Sequence, residues 1–324
     1  MKKLLNKKNI ISVIVIVLIY IGITALVGSG MLSRQYKSLL VPVGINVILA
    51  VSLNLTVGFL GELTLGHAGF MSVGAYAGCL FTVYAELPTY IEFPIALIIG
   101  GIVAAIFGII IGIPALRLKG DYLAIVTLAF GEIIRSIFTN MTITGGAGGL
   151  KGIDKSTNYT VVYVLIVITV LFISNLVKSR HGRAICSIRD NVIAAESIGI
   201  NVVYHKLLAF VVAAFFAGIA GVLYGHNLGI LKPDTFDFNK SIEILVMVVM
   251  GGMGNIIGSI VAAVVITVLP EVLRGLADYR MLIYAVVLIL MMVLNASPQF
   301  QEFKARFGKR KIGRKEHEDG TIRG

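Results

Sequence analysis

Between Ile10 and Ala296 the sequence is a succession of apolar runs, most of them near 20 residues, separated by short charged segments. A helix of about 20 apolar residues crosses the hydrocarbon core of a bilayer. Backbone in lipid has no water to bond, so each run must close its own hydrogen bonds as a helix. Composition agrees: 57% of residues are hydrophobic and 14% charged, with a mean hydropathy of +0.93. A soluble domain carries about a quarter charged residues. The predicted fold class is all-α, a polytopic transmembrane helical bundle.

Ten spans are expected: Ile10–Val27, Leu39–Val57, Leu63–Val83, Pro94–Leu116, Tyr122–Thr139, Thr160–Val177, Leu207–Leu228, Ser241–Gly251, Ile256–Leu273 and Met281–Ala296. The eighth is short, and Gly251, Gly252 and Gly254 close it, so it reads as either a full crossing or a broken segment lining a cavity. Residues 1–9 form a basic N-terminus and 298–324 a basic, hydrophilic tail; 10–297 form the membrane domain. The first run is too long for a signal-peptide core and is expected to be retained. Pro42, Pro94, Pro114 and Pro270 are expected near span ends.

Lys and Arg placement sets the orientation. With the N-terminus inside, the inner segments carry 19 of the 28 Lys and Arg and the outer segments 8, leaving Arg135 within a span. That asymmetry puts both termini in the cytoplasm. The net charge of +11 is thus a topology signal. No basic face with interleaved aromatics exists, which excludes nucleic acid. Cys79 falls in a span and Cys186 in an inner loop, so no disulfide is expected.

Catalytic chemistry is absent from the pattern. There is no metal-spaced Cys/His set and no nucleophile motif. The outer Gly-rich stretch Thr144-Gly-Gly-Ala-Gly-Gly-Leu-Lys-Gly152 lacks the Gly-Lys-Ser/Thr of a phosphate loop. The chain therefore has no nucleotide site or cofactor of its own, and ATP-driven transport would need a separate ATPase.

The inner loop 178–206 is the most informative segment. Ile185, Ile188, Val192, Ala195 and Gly199 recur at helical spacing as one apolar stripe, with Arg183, Arg189, Asp190 and Glu196 off it. Asp190 or Asn191 is placed to cap a second short helix, giving a helix-turn-helix. Such a piece either lies on the membrane surface or docks an apolar knob into a soluble partner.

Ala194-Ala195-x-x-x-Gly199 resembles the Glu-Ala-Ala-x-x-x-Gly signature of ABC importer permeases, with Ile193 replacing Glu. The stretches Leu55-Thr-Val-Gly-Phe-Leu-Gly-Glu-Leu-Thr-Leu-Gly-His-Ala-Gly-Phe70, Arg117-Leu-Lys-Gly-Asp-Tyr-Leu-Ala-Ile-Val-Thr-Leu-Ala-Phe-Gly-Glu-Ile-Ile-Arg135, Thr144-Gly-Gly-Ala-Gly-Gly-Leu150, Lys206-Leu-Leu-Ala-Phe210 and Gly251-Gly-Met-Gly-Asn255 are similar to LivM-type permease subunits of branched-chain amino acid ABC importers. The resemblance implies a type II-like importer fold in a bacterial inner membrane. It implies three kinds of partner: a second, homologous permease forming a heterodimer; two cytoplasmic ATPase subunits that bind ATP and Mg; and an extracytoplasmic binding protein. It makes 178–206 the coupling loop, with Gly182, Arg183, Ile188, Arg189, Asp190, Ala194, Ala195, Glu196 and Gly199 as its site residues.

Polar residues inside spans are costly and mark either a path or a structural pair. Glu132 and Arg135, three apart, share a face and are expected to point into the bundle. They either line the route of a zwitterion or pair to hold helices. His67 and Thr127 are candidates for the same path, or are packed and self-bonded residues. Gly74 and Gly78, Gly108 and Gly112, Gly254 and Gly258, and the row Gly221, Gly225 and Gly229 have the four-residue spacing of close helix crossings. A related permease carrying a sugar, nucleoside or urea remains an alternative, as does an ion-coupled secondary transporter. A membrane enzyme is disfavoured by the missing catalytic groups.

Overall fold

The structure, a computed structural model, describes residues 18, 20–28, 34–85, 88–118, 120–273, 286 and 289. The N-terminus 1–9, half of the first expected span, most of the last, and the tail 298–324 lie outside the described residues. Compactness divides the chain into Met1–Val268 and Leu269–Gly324.

The elements run α1 (20–28), α2 (Arg34–Asn54), a π-helical turn (Leu55–Leu60), α3 (His67–Tyr84), α4 (Thr89–Ala115), α5 (Asp121–Asn140), α6 (Tyr159–Lys178), α7 (Arg180–Asp190), α8 (Val192–Ser197), α9 (Val202–Leu228), α10 (Phe238–Gly251) and α11 (Ile256–Val272). Among the described residues, five helices are long and apolar enough to cross a membrane: Tyr36–Leu60, Thr89–Ala115, Asp121–Asn140, Tyr159–Lys178 and Val202–Leu228. α10 has 14 residues and is unbroken up to Gly252, whose φ of 91° ends it.

Several boundaries differ from expectation. α3 begins at His67 rather than Leu63, because residues 61–66 form an open turn after the π-helix. α9 starts at Val202, five residues before Leu207, and so absorbs Lys206 from the expected loop. Pro42, Pro94 and Pro270 lie inside helices, with Pro114 in the last turn of α4. The described chain is not wholly helical: β1 (Leu150–Lys151) pairs antiparallel with β2 (Ile230–Leu231), with Leu150 opposite Leu231.

The core is a three-helix contact of α3, α4 and α9, made possible by missing side chains. A Cβ at Gly74 would stand 2.2 Å from the Cα of Gly218, one at Gly78 2.5 Å from a methyl of Val222, one at Gly221 2.0 Å from the Met71 carbonyl, and one at Gly225 2.4 Å from Cys79 Sγ. In lipid the tails are as apolar as Leu, so this close packing, and not exclusion of water, holds the helices. Gly229 and Gly254 leave the expected crossing rows: both have φ of 79° and sit in turns. The inner helices are covered and the outer ones are not. In the most apolar window, 83% of Tyr36–Leu60 is buried but only 17% of Tyr159–Lys178. On α4, Ile98, Ile102, Ile106, Ile109 and Ile113 form an exposed stripe suited to acyl chains.

Candidate functional site

The loop between α6 and α9 folds as an elbow, each helix start being capped by a local side chain. Ser179 accepts from the Gly182 amide at 3.3 Å, Asn191 from the Ala194 amide at 3.0 Å, and Asn201 from the Tyr204 amide at 3.0 Å. Asn191, not Asp190, therefore caps α8; Arg189 holds Asp190 at 2.9 Å. Gly182 is required by space, since a Cβ there would stand 2.2 Å from the Val177 carbonyl. Gly199 is required by conformation. Its φ is 84°, and the Ile200 amide returns to the Ala195 carbonyl at 3.1 Å, the left-handed close of α8.

The apolar stripe splits between the two faces. Ile185, Ile188 and Ala195 are buried against the protein itself, while Val192 and Gly199 stay exposed. The break at Asn191 redirects the chain, so one helical spacing no longer means one face. The outward apolar residues are instead Ile193, 79% exposed, and Ile198, 74% exposed. Ala194 and Glu196 share that open face, and Arg183 is exposed with its guanidinium on the Lys178 carbonyl at 3.1 Å. Beneath the elbow, Arg189 Nη1 donates to the Gly58 carbonyl at 3.1 Å, and Lys206 Nζ donates to Glu62 Oε1. Burial raises the Cys186 thiol above its ordinary value; Arg189 opposes the shift and Asp190 adds to it.

The four expected path residues do not converge. His67 is buried at the start of α3 with Nε2 2.9 Å from Ser52 Oγ. Thr127 is fully buried; its hydroxyl bonds back to Leu123 and Ala124 and accepts the Leu65 amide at 3.0 Å, so it supports the 61–66 turn. Glu132 and Arg135 pair at 2.8 Å near the opposite end of the bundle, and Arg135 also reaches Asp234 at 3.6 Å. Their side chains are 35% and 37% exposed, so they do not point into this chain's interior. α5 has only 28% of its window covered, which explains the difference.

The Gly-rich stretch at that end is a compact knot. Positive φ at Gly145, Gly146, Gly149 and Gly152 folds it, and a Cβ at Gly149 would stand 2.3 Å from the Leu231 carbonyl. Among the described residues no three His, Cys, Asp or Glu side chains cluster as metal ligands. Sequence reasoning missed the Glu62–Lys206 pair and the Asn54 side chain, which accepts the Gly254 amide at 2.9 Å and donates to Ser259 at 3.0 Å. The available signal was a polar residue inside an apolar run, but its partner lies 200 residues away.

Fold and site together define a helical membrane protein with a structured elbow at one end. The chain belongs to the family described as branched-chain amino acid transport system, permease component, which matches residues 35–294. It is similar to the high-affinity branched-chain amino acid transport system permease protein LivM of Salmonella typhimurium, 35% identical over 298 residues covering 81% of this chain and 69% of that protein. It is also similar to the ribose import permease protein RbsC of Haemophilus influenzae, 25% identical with 90% and 93% covered. A probable LivM of Methanocaldococcus jannaschii is 25% identical, with 73% and 80% covered. No solved structure matches.

Proposed function

We infer that the chain is a membrane-spanning subunit of an ATP-driven importer that translocates leucine, isoleucine and valine delivered by an extracytoplasmic binding protein. The observation that carries the coupling role is the elbow: its inner face is seated on the bundle, while Ile193 and Ile198 stand exposed on its outer face. A buried side lets the elbow act as a rigid lever; an apolar outer side suits a groove in a soluble partner. Two ATPase subunits bind ATP and Mg and press on Arg183–Gly199. The bundle then changes which side is open, because nucleotide binds one state better than the other. Substrate passes along a route shared with a second, homologous permease. About ten spans in a type II-like arrangement, both termini cytoplasmic and residues 10–297 as the membrane domain complete the reading.

A sugar cargo is the second reading, favoured by the match to ribose import permeases over 90% of the chain. Proteoliposomes holding this chain, its second permease and the ATPases, supplied with the binding protein encoded beside it, test both. ATP-dependent leucine uptake is expected. Uptake of ribose but not leucine replaces the cargo, and uptake without the ATPases overturns the importer reading.

A further inference from the structure

One turn of the chain receives charged contacts from the bend of the elbow and from the helix that leaves it. At the bend, Arg189 in the last turn of α7 holds the carbonyl of Gly58. On the leaving side, Lys206 in the first turns of α9 holds the carboxylate of Glu62. Gly58 and Glu62 are four residues apart and bracket the end of the π-helix. The Lys206 and Glu62 side chains are only 10% and 15% exposed. Gly58 has no room for a side chain, because a Cβ would stand 1.8 Å from Asn54 Oδ1 and 2.2 Å from the Gly254 amide. The turn is thus pinned from a third direction by the 252–255 connection.

Helix ends do not explain these charges. Lys206 sits near the N-terminus of α9, where the helix dipole disfavours a cation, and Glu62 sits just past a helix C-terminus, where it disfavours an anion. Each charge is placed against its own helix and in favour of the other. The Gly58 carbonyl belongs to the last helical residues before Gly61, where carbonyls lose their intrahelical donors; a long side chain from the elbow supplies the missing bond.

We propose that Glu62–Lys206 and Arg189–Gly58 form a latch that transmits displacement of the elbow to the 58–66 turn, making that turn the hinge between α2 and α3. Neither the bend of the elbow nor its exit into α9 can move without pulling a point on the same turn. The turn leads directly into α3, whose glycine face packs on α4 and α9, so the pull reaches the centre of the bundle. Glu62, Lys206 and Arg189 are positioning residues in this account and touch no substrate. The proposal rests on the coupling role of the elbow inferred above.

The test uses the full complex in proteoliposomes and reads substrate transported per ATP hydrolysed. The double variant Glu62→Gln, Lys206→Met removes both charges together, leaving none buried and unpaired. It is expected to assemble and hydrolyse ATP while that ratio falls about tenfold, within the usual span of coupling energies. The swap Glu62→Lys, Lys206→Glu restores the pair and should recover most of the ratio. Arg189→Lys, at a partly exposed position, keeps the charge but not the guanidinium reach to Gly58, and is expected to lower the ratio in the same direction; it carries the test alone if the double variant fails to fold. A native ratio in the variants, with only thermal stability reduced, overturns the latch while leaving the importer reading intact. Absence of ATP-dependent uptake by the unaltered complex overturns the importer reading instead.

Discussion

Gly74→Ala adds one methyl at one of the close helix crossings in the bundle. The new Cβ would stand 2.2 Å from the Cα of Gly218, 2.7 Å from its oxygen and 2.8 Å from its carbonyl carbon. Carbon atoms rest about 3.5–4.0 Å apart, so α3 and α9 must part by more than about 1 Å. A gap of that size forfeits a quarter to a half of the dispersion energy at each neighbouring contact. All three clashing atoms are backbone, so no rotamer change relieves them. The helices cannot pivot either, because Gly221 and Gly225 are equally close on the same seam. Overpacking costs about 1–3 kcal/mol, and this site belongs at the upper end. Alanine returns about 1 kcal/mol of helix propensity relative to glycine. The net loss is therefore about 2 kcal/mol, roughly thirtyfold in the ratio of folded to unfolded protein. Thermal unfolding of the detergent-purified protein, followed by size-exclusion chromatography, measures it. Gly148→Ala, with nothing within 4 Å, is the control and should stay within about 0.5 kcal/mol of the parent. Equal stability of the two variants would refute the claim that backbone proximity holds α3 to α9.

At Gly199 there is empty space but a left-handed backbone, so Gly199→Glu strains the close of α8 by about 1–2 kcal/mol and places a charge beside Ile198. Membrane insertion should be normal and ATP-dependent uptake lost; normal uptake would remove the elbow from the docking surface. Exchanging the charges as Glu132→Arg with Arg135→Glu keeps a pair that is about one-third exposed, a class worth about 0–1 kcal/mol. Uptake and stability should both survive the exchange, and a loss of uptake alone would put the pair on the substrate route.

Read alone, the residues determined the solvent, the helical class and the presence of an elbow, because these follow from local pattern: run length, charge placement and the Asn and Gly signals at helix ends. They also located the small-residue seam, since spacing of four is local too. Tertiary structure alone decided which face each pattern meets. The stripe from Ile185 to Gly199 looked continuous in one dimension, yet beyond the break at Asn191 Val192 and Gly199 are exposed while Ile185, Ile188 and Ala195 are buried. Lys206 looked like one more loop cation until α9 began early and Glu62, 144 residues away in sequence, met it. Glu132 and Arg135 met each other as their spacing implied, but their exposure depended on what covers α5. Local spacing encodes a helix and its stripe; a contact between distant residues depends on how whole helices pack, and no short window of sequence carries that information.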